Sequence, residues 1–353
     1  MKLAKLSLAA IMAAGAFSVA NATPLTDAIK GVNLSGYGYY RFHDASGAEA
    51  YSKVEIRAGL TGAVNENVQY YVRATMDRAT KTNAAVGKGS FLVDRAVMTY
   101  SGFKYTKVML GRMYTGSPLD DTDAVGLKVL VSPMGGLTLA GAYFTDNSAV
   151  TNALTAVAAI YSNKMFNARA WFVKMDPENS NASVLDGAKF IFVEGGANVG
   201  PVSVKAQYAQ KNPDAALAPT AKTLRLQVSG KFGPAAVRVG YVSNNKRAGD
   251  VTVDGSAEGD NDLIYGGIYG LVQINEADES AYFGEVKGAF GPVSVKVGYV
   301  SYDNGTFDDQ YYGQVGYKVT KKFSTYFRYG SASPVAAGAD DKTLARFQAT
   351  YSF

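Results

Sequence analysis

LARFQATYSF, residues 344–353, alternates without a break. Ala345, Phe347, Ala349, Tyr351 and Phe353 fall on one face of an extended chain, and Arg346, Gln348, Thr350 and Ser352 on the other. Period-two alternation marks a strand with one apolar face. Chain ends usually fray and carry polar residues, so an aromatic ring as the last residue implies that this strand is held against something apolar.

The other end of the chain supplies the setting. MKLAKLSLAAIMAAGAFSVANA carries Lys2 and Lys5, an apolar run from Leu6 to Phe17, and Ala20-Asn21-Ala22 before Thr23, the three regions of a cleaved secretory signal peptide. Residues 1–22 are expected to be removed, leaving 23–353 as one domain. After Phe17 no stretch is long and apolar enough to span a bilayer as a helix, so an exported chain of this kind is either soluble or a barrel.

Composition points to the barrel. There is no cysteine, which excludes disulfides and thiolate metal sites. The formal net charge of +5 falls to +3 without Lys2 and Lys5, too little to suggest a nucleic-acid partner. Apolar residues recur in short alternating runs, as expected when one strand face meets lipid and the other water. The first such run is Val32 to His43, with Leu34, Gly36, Tyr40 and Phe42 opposite Asn33, Ser35, Tyr37, Tyr39, Arg41 and His43. Similar runs give about 18 candidate strands, with 16 as the alternative count. Links between them alternate between tight turns, such as Phe290-Gly291-Pro292, and longer segments at about 78–90, 114–124, 176–186, 211–221 and 245–280. Short turns at one end and long loops at the other predict an all-β, transmembrane antiparallel β-barrel. The hexapeptide Gly-Pro-Val-Ser-Val-Lys occurs at 200–205 and again at 291–296, a reused turn at unequal spacing rather than a solenoid repeat.

Arg41, Arg57, Arg73, Arg225, Arg238, Lys296, Arg328 and Arg346 all share the polar faces of their strands. A cation facing lipid at mid-depth costs roughly 2–4 kcal/mol, so these side chains are expected to line a water-filled lumen.

A signal peptide, about 18 strands and a terminal aromatic resemble the Gram-negative porins. The closer resemblance is to the Campylobacter-type major outer membrane porin, through KLSL, AAGAFS, ANATPL and Ala28-Ile29-Lys30, then Ser35-Gly36, Tyr40-Arg41, Thr99-Tyr100, Gly126 to Val129 and Gly136 to Ala140. The resemblance implies a trimeric, 18-stranded diffusion channel of the outer membrane, set among lipid and lipopolysaccharide. Tyr351 and Phe353 would form the C-terminal signal read by the barrel-assembly machinery. A third loop folded inward at about 114–124 would set Asp120, Asp121 and Asp123 across a constriction from Arg57, Arg73 and Arg95. Arg112 shares a face with Val108 and Leu110 and is ambiguous.

No cofactor is required by this reading. Ca²⁺ could be held by the acidic loop carrying Asp250, Asp254, Glu258, Asp260 and Asp262, but the spacing is not that of an EF-hand and solvated charge is the simpler account. His43, the only histidine, ends a strand beside a loop with no cysteine or second histidine; with Asp44 and a serine it would make the only nucleophile, base and orienting set that an enzyme needs, and no GxSxG motif is present, so no enzyme is expected. A substrate-selective channel, with Tyr37, Tyr39 and Tyr71 on the inner face, and an adhesive or structural barrel acting through its loops remain the alternative functions.

Overall fold

A computed structural model describes residues 31–47, 49–81, 90–120, 122–147, 153–176, 187–214, 218–253, 276–336 and 338–353; of residues 80, 81, 146 and 147 it describes the backbone only. The proposed signal peptide, Asp121 and the acids Asp254 to Asp262 lie outside the described residues.

Each alternating run becomes a strand: β1 Asn33–Ala45, β2 Tyr51–Ala63, β3 Val68–Lys81, β4 Ser90–Phe103, β5 Thr106–Tyr114, β6 Asp123–Met134, β7 Leu137–Asn147, β8 Leu154–Ser162, β9 Phe166–Met175, β10 Lys189–Val199, β11 Val202–Asn212, β12 Ala221–Phe232, β13 Ala235–Asn244, β14 Ser280–Phe290, β15 Val293–Asp303, β16 Phe307–Lys318, β17 Phe323–Pro334 and β18 Lys342–Ser352. Every strand is antiparallel to its chain neighbours, and β1 also pairs with β18, so the eighteen-stranded sheet closes on itself. Closure satisfies the backbone donors and acceptors that lipid cannot.

The terminal aromatic sits at the seam. The ladder from β1 to β18 runs through Tyr40↔Ala349 and Gly38↔Tyr351, and Gly36 and Phe353 then exchange both backbone hydrogen bonds, at 3.2 and 3.0 Å. The Phe353 ring lies over Gly36, where a Cβ would come within 2.8 Å of it and within 2.1 Å of the Arg57 carbonyl. Phe347, Tyr351 and Phe353 are all exposed on the outer face, beside the rings of Tyr40, Phe42, Phe327 and Tyr329. The last residue is therefore part of the lipid-facing wall.

The short-turn end, which faces the periplasm in outer-membrane barrels, has a second layer of bonding. Each of the eight turns joining an even strand to the next odd one offers a carbonyl to the strand that follows its hairpin. Asn67 O accepts from Ser101, Tyr105 O from Ser132, Gly136 O from Ser162 and Met165 O from Asn198. Pro201 O accepts from Lys231, Pro234 O from Ala289, Pro292 O from Lys318 and Lys322 O from Ser352. The reused Gly-Pro turn follows from this arrangement. Gly200, Gly233 and Gly291 take φ of 59–60°, as the first central residue of a II′ hairpin requires. The proline after each glycine has no N–H to give, and the position asks only for its carbonyl.

Side chains at Gly36 have no room, so Gly36→Val is expected to destabilise the folded barrel by about 1–3 kcal/mol through overpacking. Phe353→Ala, which keeps the backbone pair and removes the ring, should cost less. Urea unfolding in lipid vesicles, followed by the gel shift between folded and unfolded forms, measures both.

Candidate functional site in the barrel lumen

Register decides what faces inward. Arg169 on β9, Glu194 on β10, Gln207 on β11 and Arg225 on β12 lie in one row across four strands. Residues two positions away on the same strands, Trp171, Phe192, Ala209 and Thr223, share that face. The exposed Phe172, Val193, Leu224 and Leu226 occupy the other. The lumen therefore has a charged level and, nearer the long loops, an apolar one.

The charged level is organised by three buried glutamates, each 3–6 % exposed. Glu55 accepts from the Tyr39 hydroxyl at 2.9 Å and is flanked by Lys53 at 2.9 Å and Arg57 at 2.7 Å. Glu194 accepts both Nε and Nη2 of Arg169, at 2.9 and 2.8 Å, with the Gln207 amide at 2.5 Å and Lys205 at 3.8 Å. Glu285 meets the Tyr312 hydroxyl, Arg238 at 3.2 Å and Lys296 at 3.5 Å. Each carboxylate thus has one neutral donor and two cations, so each node keeps a surplus positive charge towards the lumen. At Glu194 a bidentate guanidinium and a further donor offset the cost of burying the carboxylate.

Arg225 stacks over the Phe283 ring at 4.7 Å and donates to Gln227 at 3.0 Å. A separate row runs over β17, β18 and β1. Arg328 and Arg346 stand directly opposite each other; Arg328 donates to Gln314 at 2.6 Å and Arg346 Nε to His43 Nδ1 at 3.2 Å. Arg41 donates to Gln348 at 2.8 Å while stacking on Tyr39 at 4.6 Å.

The residues assigned to a constriction divide. Arg73 and Arg95 do meet Asp123, at 3.0 and 2.6 Å, but Arg73 also holds Asp94 at 2.6 Å. Asp94 reaches this site through a bulge in the pairing of β3 with β4 at Arg73/Ala74, which re-aims side chains that strict alternation would send outward. Arg57 belongs instead to the Glu55 node. Asp120 is only 2 % exposed; its carboxylate accepts from the Thr115 hydroxyl and from Thr122 N–H and hydroxyl, both at 3.2 Å. Arg112 stays in register between Ala96 and Val125 and donates to the Asp94 carbonyl at 3.2 Å.

The apolar level explains how the segment after β5 is positioned. Leu119 is fully buried in a cluster with Val97, Met113, Phe144, Phe190 and Phe192, all inward residues of the wall. Val251 and Val253, from the segment after β13, pack into the same cluster, and Val253 N–H donates to the Leu119 carbonyl at 2.9 Å. Lys128 fastens the base of the first segment through the carbonyls of Tyr114 and Thr115, both at 2.7 Å. Asp250 anchors the second through Lys211 at 3.2 Å and Thr252 at 2.6–2.9 Å. Two connecting segments therefore occupy the side of the lumen lined by β4–β12. The arginine row of β17, β18 and β1 lies nine strands round the ring from β8, β9 and β10, on the facing wall.

Removing one node carboxylate leaves two half-buried cations without their acid. Glu194→Gln and Glu285→Gln are each expected to cost about 1–3 kcal/mol in vesicle unfolding. At Asp250 burial pushes the carboxyl pKa up, but Lys211 and the Thr252 donors outweigh it, and the net shift is downward. A depressed carboxyl pKa stabilises fully above the unfolded value of about 3.9, and the contribution is lost as pH falls through the folded value. Trp171, the only tryptophan, packs against the cluster. Its emission should hold steady at neutral pH and shift to the red in stronger acid, whereas Asp250→Asn should show the shift already at neutral pH.

Residues 1–170 match the model of the Campylobacter major outer membrane protein family. No curated protein matches the chain closely enough for comparison. Among solved structures, Pseudomonas aeruginosa OpdK with vanillate superposes with a TM-score of 0.74 at 13% identity, covering 92% of this chain and 99% of that one. Pseudomonas aeruginosa OccK3 (OpdO) gives 0.72 at 16%, covering 93% and 97%. OccK2 (OpdF) of the same organism, in complex with glucuronate, gives 0.69 at 13%, covering 91% and 97%. At such identities the likeness establishes the fold, a closed outer-membrane barrel. The resemblance first carried by KLSL and ANATPL is borne out to that extent: the first 170 residues match the family model, and the closed barrel is the fold of the solved outer-membrane channels.

Proposed function

We propose that this barrel is a passive, water-filled porin of the outer membrane, passing ions and small hydrophilic solutes without energy coupling and assembled as a homotrimer. The observation that carries the proposal is the contrast between the two faces of one sheet. Between its rims the outer face is predominantly apolar; the inner face holds rows of cations and glutamates at one level and a seat for two connecting segments at another. Such a lumen takes solutes that can replace water with hydrogen bonds to charged walls and resists apolar ones.

In this reading solutes pass between the seated segments and the arginines of β17, β18 and β1. Asp123 with Arg73 and Arg95 shapes the field at the side of that passage, and no catalytic step is involved. A preference for small carboxylates is a second reading, favoured by Arg41, Arg328 and Arg346 standing side by side over Tyr39 and Tyr326. Vanillate and glucuronate, which accompany OpdK and OccK2 in two structures of the same fold, are both carboxylates.

Planar-bilayer recording of the refolded mature chain under a salt gradient tests the proposal. Large ohmic steps arriving in threes are expected, with a reversal potential on the anion side that moves towards cations in Arg41→Gln/Arg346→Gln. A folded barrel that stays electrically silent overturns the porin, single steps overturn the trimer, and an unchanged reversal potential removes the arginine row from the path.

A further inference from the structure

The outer face carries a polar interruption at β9–β12 that the channel does not use. Lys174, next to last in β9, and Lys189, first in β10, stand directly opposite each other. Both point away from the lumen, since Val173, Met175 and Phe190 on either side of them are buried in the inner cluster. Like charges directly opposite on a sheet repel. Among the described residues neither lysine side chain has a hydrogen bond or ion pair, and both residues are exposed. Lys222 on β12 is exposed on the same face; its backbone bonds Asn245, but among the described residues its side chain has no hydrogen bond or ion pair. It pairs with Gln210, which pairs with Ile191, two residues along from Lys189. Two strand spacings and two residues put Lys222 on the order of 12 Å from Lys189.

The strand between them is polar on this face. Tyr208 donates to Gln210 at 2.5 Å, Gln210 to Asn212 at 2.7 Å, and Thr220 to Asn212 at 3.3 Å. Directly below, towards the middle of the membrane, the face becomes Phe172, Val193, Leu224 and Leu226, all exposed. The nearby acids among the described residues do not answer the lysines. Asp176 continues the chain past β9, and Asp214 lies against Gly187, but neither is within ion-pair distance of Lys174, Lys189 or Lys222.

We propose that Lys174, Lys189 and Lys222 form a headgroup clasp for a phosphorylated glycolipid of the outer leaflet. Phosphate sits between Lys174 and Lys189, a second anionic group reaches Lys222, sugar hydroxyls meet Gln210 and Asn212, and acyl chains run down Phe172, Val193 and Leu224. The position is right for that occupant: all three lysines lie at the long-loop end, where strand meets outer-leaflet headgroup, and anionic lipid removes the repulsion that the bare pair carries.

The test uses the refolded mature barrel in phosphatidylcholine vesicles containing bis-phosphorylated lipid A. Lipid retained through mild detergent is read by native mass spectrometry, and stability by the thermal midpoint. Wild type is expected to retain the glycolipid and to gain stability from it, and Lys174→Gln/Lys189→Gln to lose roughly ten- to thirty-fold in affinity. Lys174→Arg/Lys189→Arg should keep it, and Lys318→Gln at the opposite rim should behave as wild type. Equal retention by the glutamine variant, or equal retention of dephosphorylated lipid A, overturns the clasp. So does an equal midpoint gain from free inorganic phosphate, which would make the site one for the ion alone. Conductance of the glutamine variant reports folding and is expected to be unchanged.

Discussion

A chain that crosses lipid has no water to satisfy its peptide groups, and this requirement governs the rest of the molecule. Here it is met by pairing every strand on both edges, which is possible only if β18 finds β1. The seam is specific because Phe353 and Gly36 fit together: the ring covers a position with no side chain, and the backbone pair beneath it extends the ladder to the final residue. Once the edges are gone, outward side chains are left to lipid and inward ones to water, and the chemistry of the lumen is set by parity along each strand.

Parity made most of the fold legible from the residues. The runs ending in LARFQATYSF and beginning at Val32 gave strand number, direction and facing because a period of two survives in each. On the same parity, Arg225, Arg238, Lys296, Arg328 and Arg346 share the faces of Glu194, Glu285 or Gln348. What parity cannot reveal is which inward residues meet. Glu285 is held by Arg238 and Tyr312 from other strands, contacts that depend on register rather than on local pattern. The available signal was an acid on the inward parity of an otherwise apolar strand, as in Phe190-Ile191-Phe192-Val193-Glu194. Arg57 meets Glu55 at 2.7 Å because two residues along one strand bring both onto the same face, nearer than any described acid of the segment after β5.

Asp94 shows the other limit. The bulge beside Arg73 breaks the period, so counting by twos through Ser90–Phe103 misplaces the residue that matters most there. Asp120 shows a third: an acid in a segment described only as acidic is, in three dimensions, a structural acceptor for Thr115 and Thr122. The seat beneath that segment was equally hidden, because Phe144, Phe190 and Phe192 have the composition of any strand. Only closure reveals that they face a second hydrophobic core inside the barrel, independent of lipid.

The carbonyls that each short turn lends to the following strand link all eight hairpins in sequence, and the Gly36–Phe353 pair completes the circuit. The short-turn rim is therefore a hoop: no turn can tilt without straining its neighbour, and its circumference is fixed by backbone alone, whatever side chains line it. Changes in bore must arise at the opposite mouth, where the two seated segments rest on apolar contacts and a few anchoring lysine and threonine bonds.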